Sequence, residues 1–219
     1  MDESTSLDDV RMRIELTDLV PSRAPLLEGI EQKFATLAGQ GVVTLGVLRR
    51  ELKNTRRLEA LATASGIEAR YLVLLRREIE GWSPEPPKLG AFDWLPQEDI
   101  AKLEKRGFKD CAALYAALYA TAGSTGDARG LEVESSTLEA LICLADLTRV
   151  QWVGPTVARM LVEAGYDSAA ELAAADAEEL CNALMQVNEG ERFFKGKIGL
   201  RDVRRLVQAA SYVPRQAER

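Results

Sequence analysis

Three stretches of this chain close in the same way. Residues 30–44, 94–110 and 152–168 each place a Leu (Leu37, Leu103, Leu161) four residues before a Gly (Gly41, Gly107, Gly165). A large apolar residue follows (Val42, Phe108, Tyr166), then a side chain able to cap a helix (Thr44, Asp110, Ser168). A helix that ends on Gly uses the missing β-carbon to turn left-handed, and the apolar residue after it folds back onto the last turn. The glycines recur after 66 and 58 residues. Self-similarity at such a period points to one supersecondary unit used three times. Units of this kind present helix starts to solvent, a binding architecture more often than a catalytic one.

The rest of the chain agrees with a helical reading. Apolar periodicity predicts helices over 30–39, 45–53, 56–64 and 67–80, then 97–106, 110–121 and 136–145. Pro155 at a first-turn position opens a further helix, and the last runs over 200–211. The pairs Ser65/Glu68, Ser136/Glu139, Ser168/Glu171 and Asp176/Glu179 have the spacing of capping boxes. The strand-like runs, Val42-Val43 and residues 71–75, lie inside helical patterns, so the fold class expected is all-α. Residues 1–20 read as an acidic, flexible N-terminus with a short helix over 9–19. Residues 21–82 form a first repeat and 83–90 a Pro-rich linker. Residues 91–147 form a second repeat with a flexible loop at 121–130; 148–213 form a third, and 214–219 a tail.

Composition narrows function mainly by exclusion. The 219 residues contain no His, which removes His-ligated zinc and His-based catalytic triads. Cys111, Cys143 and Cys181 sit among Ala and Leu with no CxxC, the setting of buried structural thiols. No Gly-rich loop ends in Lys-Ser/Thr, and the carboxylate pair Glu178/Glu179 has no apolar enclosure, so no catalytic or metal-ligating residue is assigned. No apolar run approaches the ~18 residues of a membrane span, and the acidic start lacks a signal-peptide core. A soluble, cytoplasmic protein without a membrane partner is expected.

The net charge of −6 argues against a strongly basic nucleic-acid protein, yet the charge is segregated. Residues 131–190 hold eleven acids against Arg149 and Arg159, whereas residues 190–219 hold eight Lys/Arg against three acids. One basic cluster is Arg49, Arg50, Lys53, Arg56 and Arg57; another is Lys195, Lys197, Arg201, Arg204 and Arg205. Each reads as a solvated helix face or, in a binding protein, as a track for phosphates.

At Val150-Gln-Trp-Val-Gly-Pro-Thr-Val-Ala158 the chain resembles the helix-hairpin-helix superfamily, whose hairpin follows an apolar-x-Gly-apolar-Gly pattern into a helix. More narrowly, residues 145–172, continuing through 176–188, resemble a bacterial domain family of unknown function built from tandem units of this kind. The resemblance implies a helical arrangement of the SAM and polymerase-beta type. It also implies contact with nucleic-acid backbone, often with a monovalent cation at the hairpin, here the third; no other cofactor is expected. Free N–H groups at a helix start form an anion site of the sort that holds a phosphate. In the third hairpin Val153 and Gly154 match, Thr156 and Val157 supply N–H groups, and Arg149 and Arg159 lie near in sequence. Trp152 replaces the first Gly of the pattern. The second hairpin, Leu95-Pro96-Gln97, has no Gly and is followed by Glu98 and Asp99, which would repel phosphate. The first, 28–31, retains Gly29 between acids. Trp94 and Trp152 read as equivalent plugs of the helix junctions. The function expected is non-catalytic, sequence-independent DNA binding; the alternative is a protein–protein adaptor whose hairpins have lost nucleic-acid binding.

Overall fold

A computed structural model describes residues 2–120 and 132–214; the expected loop at 121–130 and most of the tail lie outside the described residues. Among the described residues there are twelve α-helices and no strand, so the fold is all-α. The chain divides into two compact units, Met1–Ser83 and Pro84–Val213.

The first unit contains α1 (Leu7–Leu16), α2 (Ile30–Gly39), α3 (Leu45–Leu52), α4 (Thr55–Ser65) and α5 (Ala69–Glu80), with a 3₁₀ turn at Ala24–Leu27. The acidic end is not loose. Ser6 caps α1 by accepting from the Asp9 N–H at 3.1 Å, and Val10 and Ile14 are fully buried. Burying two such side chains contributes about 1.5–3 kcal/mol each, which outweighs fraying. The acids that suggested flexibility fall on the solvent face of the helix. The segment before α1 pairs with the one before α3: the Leu7 N–H donates to the Val43 carbonyl and the Leu45 N–H to the Thr5 carbonyl, both at 2.9 Å. Gly46 is needed there, because a β-carbon would meet Glu3 at 2.7 Å.

The second unit contains α6 (Gln97–Lys105), α7 (Cys111–Ala120), α8 (Ser135–Leu147), α9 (Pro155–Glu163), α10 (Ala169–Ala174), α11 (Ala177–Glu191) and α12 (Leu200–Ser211). Its core runs from Leu89 and Phe92 through Leu141 and Leu161 to Val203. The stretch expected as a linker, 83–90, is partly fold. The Cys111 N–H donates to the Pro87 carbonyl at 2.9 Å, and Leu89 is fully buried. Prolines hold that backbone extended, which suits pairing as well as spacing.

The three like-ended helices are alike in three dimensions. Gly41, Gly107 and Gly165 have φ of 81°, 98° and 86°. The N–H of the next residue reaches back to Leu37, Leu103 and Leu161 carbonyls at 3.1, 3.1 and 2.9 Å, closing the same terminal loop each time. All three leucines are fully buried. Thr44, Asp110 and Ser168 then cap α3, α7 and α10, accepting backbone N–H groups at 3.3, 2.8 and 3.1 Å.

Two of the expected capping boxes fail. Ser65 is the last residue of α4 and donates to the Leu61 carbonyl at 2.6 Å; Gly66, at φ 70°, ends that helix, and α5 starts after Glu68 without a side-chain cap. Ser136 lies inside α8, which starts after Glu134 without a side-chain cap. Asp176 does cap α11, accepting from the Glu178 and Glu179 N–H groups.

Candidate functional site

The turn into α9 owes its shape to an exchange of roles between Trp152 and Gly154. The left-handed residue is Trp152, at φ 70°; Gly154 sits at φ −90° and ψ 178°, ordinary extended backbone. A β-carbon on Gly154 would meet nothing within 4 Å. As the residue preceding α9, Gly154 offers no side chain to cap the helix, and Pro155 has no N–H to satisfy. The first-turn N–H groups of Thr156 and Val157 therefore have no side-chain acceptor from the cap position. No acid stands in that first turn, whereas α2 carries Glu31 and α6 carries Glu98 and Asp99 in theirs. Thr156 is exposed, Val157 half-buried, and Val153 buried beneath the turn.

The basic C-terminal segment comes to this turn through two aromatic contacts. The Arg205 guanidinium lies over the Trp152 ring, 4.4 Å from its centroid. On α9 the Arg159 guanidinium lies 4.6 Å over Phe193 and 5.1 Å over Trp94, while pairing with Glu163 at 2.7 Å. Lys195 and Lys197 are exposed in the segment between α11 and α12, and Arg201 and Arg204 are exposed on α12. Arg204 faces Glu178 at 3.3 Å and Arg205 faces Asp202 at 3.7 Å. The Arg204–Glu178 pair is solvent-exposed, contributes little and opens readily for another anion, whereas the Arg205 side chain is half-buried.

Arg149 is not part of this surface. It donates to Asp146 and to the Tyr115 hydroxyl, both at 2.5 Å, and lies 4.6 Å over the Tyr115 ring. The other Asp146 oxygen accepts the Ala169 N–H at 2.7 Å, so one buried carboxylate ties α8 to the start of α10. Asp99 is likewise taken up by the fold rather than set against an incoming anion. It is 4% exposed, and its oxygens accept from Lys102 at 2.8 Å and from the Glu134 N–H, just ahead of α8, at 3.2 Å. Those bonds, led by Lys102, hold its carboxyl below the usual Asp value.

The two tryptophans are not equivalent plugs. Trp94 is half-buried and meets Phe92 edge-on at 5.4 Å, but Trp152 is 45% exposed. Its left-handed backbone turns the side chain out of the core. In the basic cluster of the first unit Arg49 is taken into the fold, whereas Arg50, Lys53, Arg56 and Arg57 are exposed. Arg49 joins Glu3 at 2.5 Å, the Ser83 hydroxyl at 2.8 Å and the Ile79 carbonyl at 3.2 Å, and Arg50 and Arg57 share Glu51. At the start of α2 Lys33 bonds the Glu28 carbonyl and lies 4.3 Å over Tyr71.

Among the described residues no group of three or more acidic or Cys side chains is placed to hold a metal. Cys111 and Cys181 are buried and Cys143 half-buried, all unbridged; burial pushes the Cys111 thiol up to about 11. No helix among the described residues is long and apolar enough to cross a membrane.

Comparison with known proteins finds one relationship. No curated protein and no solved structure matches the chain. A family described as a domain of unknown function, DUF4332, matches residues 95–213, from just before α6 through α12. That span covers more than half of the chain and takes in nearly all of the second unit, including the open turn and its basic flank, and the chain belongs to this family.

Proposed function

We propose that this chain is a non-catalytic protein that holds nucleic-acid backbone without reading base sequence, through a helix-hairpin-helix turn at the start of α9. On this reading the three like-ended segments are tandem units of that kind. The third has kept its binding role, while the first two serve packing. The observation that carries the reading is the joining of an uncapped, acid-free helix start to the basic C-terminal segment, by the Arg205–Trp152 and Arg159–Phe193 contacts. Backbone N–H groups and a helix dipole favour an anion, and flanking Lys and Arg supply the long-range attraction. Contacts of this type position a protein on phosphates and carry no sequence information. A monovalent cation at the turn belongs to the same reading.

The adaptor alternative draws on the acids at the starts of α2 and α6 and on the net charge of −6. A salt titration separates the two. For backbone binding, log affinity falls linearly with log salt, with a slope of about −0.9 per phosphate on duplex DNA; three or four contacts give about −3. Absence of binding to DNA and RNA at about 50 mM salt would leave the adaptor reading.

A further inference from the structure

Two exposed aromatic rings, one in the turn before α9 and one in the segment between α11 and α12, are each held in place by features that the core does not need. Trp152 keeps 45% of its surface exposed while occupying a left-handed backbone, at φ 70°, that a bulky side chain adopts only at a cost. A Gly would make that turn without strain. What Trp adds is an accessible ring with the Arg205 guanidinium 4.4 Å from its centroid.

Phe194 is 53% exposed, yet it is fixed from two sides. The Asn188 side chain clamps its backbone, donating to the Phe194 carbonyl at 2.9 Å and accepting the Phe194 N–H at 2.7 Å. Its ring lies so close to Gly196 that a β-carbon there would come within 2.5 Å of Cε1. Exposed Lys195 and Lys197 flank it, and the preceding Phe193 is bound to α9 through Arg159 at 4.6 Å. Ordered, solvent-facing rings set among cations are the means by which proteins hold unpaired bases, because every base has a π-face and its phosphate needs a neighbouring charge. Duplex bases are stacked on one another and offer neither ring a partner.

We propose that this surface takes single-stranded nucleic acid, with Trp152 and Phe194 as base-stacking platforms and Arg205, Lys195 and Lys197 as phosphate contacts. The inference rests on the backbone-binding reading and adds the strandedness of the ligand. The test is fluorescence anisotropy of the full chain with a labelled oligothymidylate of about 16 nucleotides and with a duplex of equal length. Parent protein should prefer the single strand. Trp152→Gly, which suits the left-handed turn, and Phe194→Ala should each weaken single-strand binding by roughly 5- to 100-fold. Phe194→Ala should leave duplex binding within about twofold, and Trp152→Phe should recover most of the single-strand loss of Trp152→Gly. Equal affinity for both forms, untouched by the two ring deletions, would overturn the stacking proposal and leave backbone binding standing. No binding of either form would overturn both.

Discussion

The helices α6 and α9 end alike and begin differently. Both finish on a left-handed Gly with a buried Leu beneath it, and both open from a tight turn after a tryptophan. At α6 the first turn is consumed by the fold: Asp99 is buried and bonds Lys102 and the Glu134 N–H, while Gln97 donates to the Phe92 and Leu95 carbonyls. At α9 the first turn has a Gly without side chain, a Pro without N–H, and open space in front of them. The same division runs through the charges nearby. Asp146 and Arg149 are used inside the unit, whereas Lys195, Lys197 and Arg204 face solvent. A shared helix end therefore does not bring a shared helix start, and the two starts differ in charge.

The largest effect should come from the internal charges. Asp146→Ala removes the carboxylate that pairs with Arg149 and strands the Ala169 N–H, so it should lower the unfolding free energy by about 3 kcal/mol, read as a drop in urea midpoint. A near-neutral result would show that the carboxylate is no tie between α8 and α10.

A second effect is a pH signature at α6. The folded-state pKa of Asp99 is depressed, so its contribution is fully present above the ordinary Asp value of 3.8 and is lost as pH falls through the lower folded value. Asp99→Asn should be less stable than the parent near neutrality, and the difference should shrink as the pH is taken down through that window. A gap that does not change with pH would remove the carboxylate's charge from the account of α6.

Much of the fold is legible in the sequence because the signals are local. The Leu–Gly spacing places three helix ends, since a left-handed Gly and a returning apolar residue are all that such an end requires. Caps are legible only in part. Ser168 and Asp176 sit where apolar periodicity restarts, whereas Ser65 precedes Gly66 and belongs to the helix that Gly66 ends. The box spacing alone does not distinguish a helix start from a last turn. The acidic charge of residues 1–20 conceals the Leu7, Val10 and Ile14 stripe that anchors α1.

The site was less legible, for tertiary reasons. Arg149 is three residues from the exposed Trp152 yet turns to Tyr115, a partner 34 residues earlier in the chain. Arg205 meets Trp152 across a gap of more than fifty residues, and nothing local to either residue announces the contact. Trp at a position where the hairpin pattern has Gly was the available signal for a strained, outward-facing ring.

The smallest effect on stability accompanies the most decisive effect on binding. Gly154 has an extended backbone with space for a side chain, so Gly154→Ala should fold without strain and keep its N–H groups exposed. Gly154→Asp places a good capping residue ahead of α9 and should change stability by only a few tenths of a kcal/mol. Its carboxylate would take up the Thr156 and Val157 N–H groups and repel phosphate. The direct test is nucleic-acid affinity of the parent, Gly154→Ala and Gly154→Asp at fixed low salt, with urea midpoints measured on the same samples. The account predicts matching midpoints, near-parent binding for Gly154→Ala, and loss of binding for Gly154→Asp. Parent-like binding by a folded Gly154→Asp would contradict it and move the site away from the start of α9.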